Sequence, residues 1–229
     1  MGEEGDDSHY RGHRRRLRAR FREAGPKALA DYEVLELLLF AAIPRRDVKP
    51  LAKQLIDRFG SLGAVLAADP RRLERDGGLT EPVAVHLSAV AEASRRMLRE
   101  KAAEKPVIGG WHQLLDYLTV AMKYETAEQV RLLFLDRKNR LIADEVAQRG
   151  TVDHAPIYPR EVAKRALELS ASALVLVHNH PSGDPTPSRA DVDMTRDLVK
   201  ALGVVGITVH DHVIIARRGY TSFKTEGLL

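Results

Sequence analysis

Apolar residues recur at helical spacing between residues 31 and 103, and short breaks rich in proline, glycine and polar residues interrupt them. This pattern predicts five short helices, over residues 32–42, 48–59, 61–68, 70–76 and 81–100. Asp31 is expected to cap the first of these helices, and Gly60 is expected to end the second. Five short helices with tight connections indicate a small all-α domain.

The pattern changes in the second half of the chain, where apolar stretches of strand length alternate with helical patterns. A helix over 111–122 precedes strands over 130–135 and 141–146, a helix over 159–171, a strand over 173–177, a helix over 188–202 and a strand over 207–216. The first two strands are expected to form a hairpin, and the last strand to form one with residues 222–223. This alternation predicts an α/β domain in which a mixed sheet is flanked by helices.

A charged stretch over residues 101–106, which ends in a proline, is the predicted linker between the two domains. The chain is therefore divided into a basic N-terminal segment (1–25), a helical domain (26–104) and an α/β domain (106–229). Its 229 residues suit one large or two small domains, and 44% hydrophobic residues can fill cores of that size.

Two histidines follow the apolar strand over 173–177, and they are the candidate metal ligands of this chain. His178 and His180 are two residues apart on a strand, so their side chains point to the same side. After a loop rich in proline and glycine, Ser188 opens a helical pattern and Asp191 follows in its first turn. Two neutral imidazoles and one carboxylate suit Zn²⁺, with a fourth position left for water. Ser188 and Asp191 also form a capping-box pattern, which would hold the carboxylate rigidly.

His178-x-His180-Pro181, followed by Ser188-x-x-Asp191, resembles the signature of the JAMM (JAB1/MPN/Mov34) metalloproteases. The flanking stretches are similar to the bacterial RadC branch of that family, over about residues 106–229. They are Gly150-Thr151, Pro159-Arg160-Glu161, His178 to Gly183, and residues 211–215. The adjacent letters His-Asn-His do not indicate an HNH nuclease, because that family spreads the three residues over a ββα unit.

The resemblance implies a role for each of these residues. His178, His180 and Asp191 would bind Zn²⁺, and the Ser188 hydroxyl would donate to the oxyanion that forms during hydrolysis. A glutamate leading into the first strand would be the general base. Glu128 fits that position, and Glu145 on the return strand is the alternative; either could also be an ordinary exposed strand carboxylate.

The strand over 207–216 carries the adjacent pair Asp211 and His212. Asp211 could orient a ligand imidazole from behind, and a purely structural role for both residues stays open. Asn179 lies between the two histidines, so its side chain is expected to point to the opposite face, and no catalytic role is expected for it.

The helical domain resembles the helix-hairpin-helix modules that precede the JAMM domain in the RadC family, over residues 59–84. DNA-binding versions of this module offer backbone amides of a Gly-x-Gly hairpin to a phosphate. Here the hairpin is Gly77-Gly78-Leu79-Thr80-Glu81, which lacks that spacing and adds an acidic residue. A DNA-binding, a structural and a protein-docking role all stay open for this domain.

Charge is distributed unevenly, although the formal net charge is only +4. Seven arginines crowd the segment over residues 11–22, and four of them are candidate phosphate contacts. These four are Arg14, Arg15, Arg16 and Arg18. A solvated helix is the alternative interpretation of the same run.

The chain has no cysteine, which excludes disulfides and thiolate sites. The acidic start lacks the apolar core of a signal peptide and no apolar run reaches membrane length, so a cytoplasmic protein is expected.

The family resemblance implies a zinc-dependent hydrolase that cleaves a peptide or isopeptide-like amide with a metal-activated water, and therefore a peptide or protein substrate. A nucleic-acid-binding protein associated with DNA repair or recombination is the first alternative. A catalytically inactive MPN module that docks proteins is the second. The sequence predicts no membrane partner and gives no oligomeric state.

Overall fold

A computed structural model of the chain describes residues 7–103, 107, 109–150 and 157–229. It divides into two compact units, Met1–Ala93 and Ser94–Leu229, which are called here the helical unit and the α/β unit. Residues 104–106 of the predicted linker and Thr151 of the RadC-like pattern lie outside the described residues. Among the helices that the structure describes, none combines the length and the hydropathy needed to cross a membrane.

The described part of the helical unit contains helices and no strand, which confirms the predicted all-helical region. Its helices are α1 (Asp7–Ala24), a 3-10 turn (Pro26–Ala28), α2 (Asp31–Ala42), α3 (Lys49–Phe59), α4 (Leu62–Ala67), α5 (Pro70–Gly77) and α6 (Glu81–Ala103), whose last turns belong to the α/β unit. Leucines from α2, α3, α5 and α6 are fully buried in one core. They are Leu35, Leu39, Leu55, Leu73 and Leu87.

The helix ends of this unit correct one expectation and confirm another. Asp31 is not the cap of α2, because the helix begins at Asp31 and the residue before it, Ala30, is the N-cap. The Glu33 carboxylate reaches back and accepts the Ala30 N–H at 2.9 Å, so the acid that satisfies the helix start is two residues further on. Gly60 ends α3 as predicted, with a φ of 93° that favours glycine.

Helix α1 packs against α2, so the basic segment is part of the helical unit. Leu17 is buried in the common core, and His13 Nε2 lies 2.6 Å from the fully buried Glu36 carboxylate. Arg14 donates to the carbonyl oxygens of Ile43 at 2.7 Å and Arg46 at 2.6 Å, beyond the end of α2. These contacts explain why a segment with so many charges folds onto the unit rather than extending into solvent.

The α/β unit is built on a five-stranded sheet, which confirms the predicted α/β fold. Its elements are α7 (Trp111–Met122), β1 (Gln129–Leu135), β2 (Leu141–Arg149), α8 (Pro159–Glu168), β3 (Ala173–His180), α9 (Arg189–Val204), β4 (Thr208–Ala216) and β5 (Gly219–Ser222). The strand order is β2-β1-β3-β4-β5, and β3 and β4 form the parallel pair in an otherwise antiparallel sheet. Both predicted hairpins are present, as β1–β2 and β4–β5.

Two expected boundaries differ from the structure. The helix predicted over 159–171 ends at Glu168, and the turn that follows holds Ser170 at a φ of 53°, which a helix interior does not allow. Residues 101–103, which were assigned to the linker, continue α6. Ala102 is buried in the core of the α/β unit, and this packing accounts for the extra turn.

The central strand β3 is covered on both faces, which is why its sequence is continuously apolar. Alternate residues of β1 and β3 pack against α7 on one face of the sheet; Leu133, Leu135, Val175 and Val177 are among them. The other alternate set packs with α8 and α9 on the opposite face; Leu132, Phe134, Leu174 and Leu176 are among them. His178 and His180 continue this second set, so they lie on the α8–α9 side at the end of β3.

Candidate metal centre

Three side chains converge where β3 ends and α9 begins. His178 Nε2 lies 2.9 Å from His180 Nε2 and 3.3 Å from Asp191 Oδ1, and His180 Nε2 lies 3.6 Å from Asp191 Oδ2. One ligand atom from each of the three residues lies within 4.8 Å of the others. The predicted ligands are therefore close enough to share one ion.

Asp191 is held in place by the start of its own helix. Its Oδ2 accepts the Ser188 backbone N–H at 2.7 Å, and the Ser188 hydroxyl oxygen accepts the Asp191 N–H at 3.1 Å. This reciprocal capping box leaves Oδ1 directed at His178. Burial would raise the pKa of Asp191, but the close contacts with His180 and His178 and the bonds from Ser188 lower it below its usual range. The carboxylate is therefore ionised at neutral pH.

The two histidines differ in their surroundings. Burial lowers the pKa of His178 to about 4, and the nearby Asp191 offsets this only in part. The hydrogen bond with Asp191 raises the pKa of His180, which is less buried, and the charge of Glu128 acts in the same direction. His180 Nδ1 lies 2.7 Å from the Asp184 carbonyl oxygen, which can only accept. The proton of neutral His180 is therefore on Nδ1, and the Nε2 lone pair faces His178 and Asp191.

The donor set and its spacing fit a tetrahedral metal ion. Zinc bonds to nitrogen and oxygen of about 2.0–2.1 Å place tetrahedral ligands roughly 3.3 Å apart. One of the three separations equals that value, at 3.3 Å, and the other two, 2.9 and 3.6 Å, lie on either side of it. Two imidazole nitrogens and an ionised carboxylate also give the centre the ligand types that such an ion prefers. The group can therefore hold a metal through three protein atoms, with one position open.

His212 contacts a predicted ligand, whereas its neighbour Asp211 does not. His212 Nε2 lies 2.7 Å from His178 Nδ1, and burial lowers the pKa of His212 well below its ordinary value. The Asp211 carboxylate accepts from the backbone N–H groups of His212 and Lys224 and from the Ser222 hydroxyl at 2.5 Å. The expectation that Asp211 orients an imidazole is wrong, because its oxygens are used to hold the β4–β5 corner.

The two candidate general bases lie in different surroundings. In the β1–β3 ladder Val130 is opposite His178, and Glu128 lies two residues before Val130, at the end of β1 where the histidines converge. Glu128 is half-buried there, just before β1 begins. Glu145 instead accepts hydrogen bonds from the Arg165 guanidinium, the two shortest at 2.9 and 2.6 Å, and this pairing lowers its pKa.

A family model of the RadC-like JAB domain matches residues 108–228. The chain belongs to this family. The five-stranded mixed sheet with its flanking helices is therefore a RadC-like JAB (MPN-type) domain, and the matched region includes all three metal-ligand candidates together with Ser188 and Glu128.

Asn179 has a structural role in this JAB domain that the sequence did not reveal. Its side-chain oxygen accepts the Gln129 N–H at 2.9 Å, and its amide nitrogen donates to the carbonyl oxygens of Ala127 at 3.1 Å and Glu125 at 3.4 Å. These contacts hold the backbone on both sides of Glu128. Asn179 is almost fully buried and points away from the histidines, as strand alternation predicted.

Replacing Asn179 by alanine is expected to lower the free energy of unfolding of the α/β unit by about 2–3 kcal/mol, because a buried N–H and two carbonyl groups lose their partner. The measurement is chemical denaturation of the full chain. Gln113→Ala, which removes a half-buried amide side chain from α7, is the matched control. A loss no larger than in the control would show that these three backbone groups do not depend on Asn179.

The four arginines that were predicted to contact phosphate have different surroundings in α1. The Arg14 guanidinium is used by the carbonyl groups beyond α2 and lies 4.5 Å from the centre of the Phe40 ring. Arg15, Arg16 and Arg18 are exposed, and Arg18 is 5.8 Å from the same ring. Phosphate binding by these arginines stays a prediction for the last three and is disfavoured for Arg14.

Proposed function

We propose that this RadC-like chain is a zinc-dependent hydrolase that cleaves a peptide or isopeptide-like amide. The observation that carries the proposal is the convergence of His178, His180 and an ionised Asp191 on one point, beside an exposed serine hydroxyl and close to Glu128 at the start of β1. A structural metal site normally uses four protein ligands, whereas three leave a position for a reacting molecule.

Zinc is the metal that fits the donor set best. Two imidazole nitrogens and one carboxylate oxygen form a known type of catalytic zinc site, and the chain has no thiolate that would favour a soft metal. When bound, zinc would polarise the amide carbonyl and acidify a water. His178 and His180 would bind it through Nε2, and Asp191 would bind it through its carboxylate.

Glu128 would act as the general base. It lies two residues before Val130, the strand partner of His178, and its charge contributes to the raised pKa of His180. A carboxylate in this position can take a proton from the attacking water and later deliver it to the leaving amine nitrogen. Glu145 is a weaker candidate because hydrogen bonds to Arg165 hold its carboxylate and lower its pKa, which makes it a poorer base.

Ser188 would stabilise the oxyanion while it continues to cap α9. The cap uses a lone pair of the hydroxyl oxygen, which accepts the Asp191 N–H. The hydroxyl proton has no acceptor among the described residues, and the side chain is exposed. A donor that is already fixed by its own helix costs little reorganisation when charge develops on the substrate oxygen.

The proposal is tested with the full-length protein, reconstituted with zinc and incubated with a library of peptides and ε-amino isopeptides. New amine ends are detected by mass spectrometry. Cleavage is expected to stop when a chelator removes the metal and to return when zinc is added back. Stoichiometric zinc without cleavage of any member of the library would count against a peptide or isopeptide hydrolase.

A further inference from the structure

His178 is the first member of a chain of hydrogen bonds that runs behind the metal ligands. Its Nδ1 lies 2.7 Å from His212 Nε2, and His212 Nδ1 lies 2.6 Å from the Thr195 hydroxyl. The Thr195 hydroxyl in turn lies 2.6 Å from the backbone carbonyl oxygen of Asp191. His178, His212 and Thr195 are between 0% and 1% exposed, so bulk water cannot replace any of these partners.

The direction of every proton in this chain follows from its last acceptor. The Asp191 carbonyl can only accept, so the Thr195 hydroxyl donates to it and has no further proton to give. Thr195 must then accept from His212 Nδ1–H. Neutral His212 has a single ring proton, which leaves its Nε2 as an acceptor for His178 Nδ1–H. The Nε2 lone pair of His178 is therefore left facing His180 and Asp191.

We propose that Thr195 and His212 are positioning residues that hold His178 in its Nδ1–H tautomer and so keep its Nε2 free to bind the metal. This inference rests on the metal-binding part of the proposed function. The chain of bonds begins at the Asp191 carbonyl oxygen and ends at His178, whose Nε2 lies beside the Asp191 carboxylate. Asp191 is therefore one candidate ligand and, through its carbonyl oxygen, also orients another, His178. Substrate does not contact either positioning residue, because both are buried.

This chain of hydrogen bonds prevents a competing hydrogen bond between His178 and Asp191. The other tautomer of His178 would carry its proton on Nε2, which is 3.3 Å from the Asp191 carboxylate oxygen. That proton would pair with the carboxylate and occupy the lone pair that the metal needs. Removing the acceptor at Thr195 takes away the bias against this tautomer. Outer hydrogen-bond partners of this type typically change metal affinity by about 10–100-fold.

The test combines a tautomer measurement with a binding measurement on the full-length protein. In the metal-free protein labelled with ¹⁵N-histidine, long-range ¹H–¹⁵N spectra are expected to show His178 as the Nδ1–H form, with its signals assigned from their absence in His178→Gln. Thr195→Val, which is close in shape and lacks the hydroxyl, is expected to populate the Nε2–H form. Its zinc affinity, measured by chelator competition, should fall by about 10–100-fold. Thr195→Ser keeps the hydroxyl and should keep the affinity.

Thr119→Val makes the same substitution in α7, on the opposite face of the sheet, and should change neither quantity. An Nε2–H tautomer of His178 in the unmodified protein would overturn the proposal, even if every variant failed to fold. Unchanged zinc affinity in Thr195→Val would overturn it as well. The tautomer is measured without metal or substrate. The proposal about Thr195 and His212 can therefore be correct when no hydrolysis is found, and it can be wrong when hydrolysis is found.

Discussion

Alanine at His178 or at Asp191 is expected to reduce the zinc content of the purified protein from near-stoichiometric to background, and to abolish amide hydrolysis. Each substitution removes one of three protein ligands, and the remaining pair cannot hold the ion against the chelating capacity of a cell. His178→Ala also leaves His212 Nε2 without its buried partner, so this variant is expected to lose some stability as well as its metal. Metal is measured by inductively coupled plasma mass spectrometry, with circular dichroism to verify folding.

Two controls match these variants in residue type. His112→Ala removes an exposed imidazole from α7, and Asp193→Ala removes a carboxylate that lies two residues beyond Asp191 on α9. Both proteins should keep their zinc. If the unmodified chain took up no metal even after zinc reconstitution, the hydrolase proposal would fail. Ser188 and Asp191 would then be a helix cap and nothing more.

Glu128→Gln is expected to lower kcat for amide cleavage by about 10²–10⁴-fold while the zinc content stays unchanged. Glutamine has nearly the same shape as glutamate but cannot take up a proton, so the substitution removes the general base without removing bulk. The measurement is cleavage at saturating substrate, compared with zinc content in the same preparation. A loss of activity with unchanged metal separates proton transfer from metal binding.

Glu145→Gln is the matched control for this prediction. It weakens the pairing with Arg165, an exposed contact that solvent screens and that contributes little to stability. Activity close to that of the unmodified protein is therefore expected. If Glu145→Gln lost activity and Glu128→Gln did not, the order of preference between the two glutamates would be reversed.

The elements of the α/β unit and the convergence of the candidate metal ligands were predictable because both depend on short stretches of sequence. A strand buried on two faces is continuously apolar, and the change to polar residues after Val177, while β3 is still buried, marks a site rather than core packing. His178 and His180 share a face by strand geometry alone. Asp191 is fixed by a capping box that spans four residues. Each of these inferences needs only neighbours in the chain.

The hydrogen bonds that link His178, His212 and Thr195, and those of Asn179, were not predictable, because they join segments that are far apart in the chain. His212 lies 34 residues from His178 and 17 residues from Thr195. Thr195 lies four residues after Asp191 on the same helix face, and this spacing was the one local signal available. Asp211 and His212 were recognised as a pair, but strand geometry alone could not say which of the two faced the ligands.

The positions of charged residues in the sequence did not show which groups those residues contact in the folded protein. Arg14 belongs to the same basic run as Arg15 and Arg16, yet its guanidinium is used inside the helical unit. The sequence contains no sign of this, because its acceptors are backbone carbonyl groups at the end of another helix. Similarly, Asp31 stood at the expected cap position of α2, while the hydrogen bond to the helix start comes from Glu33.

The double use of Asp191 has a consequence for how the protein would respond to zinc supply. Its Oδ2 oxygen and its backbone N–H and carbonyl groups are satisfied by Ser188 and Thr195, so helix α9 begins in the same way whether or not an ion is present. Metal-free chains would then keep the fold of the centre, so that an ion could enter or leave without the chain having to refold.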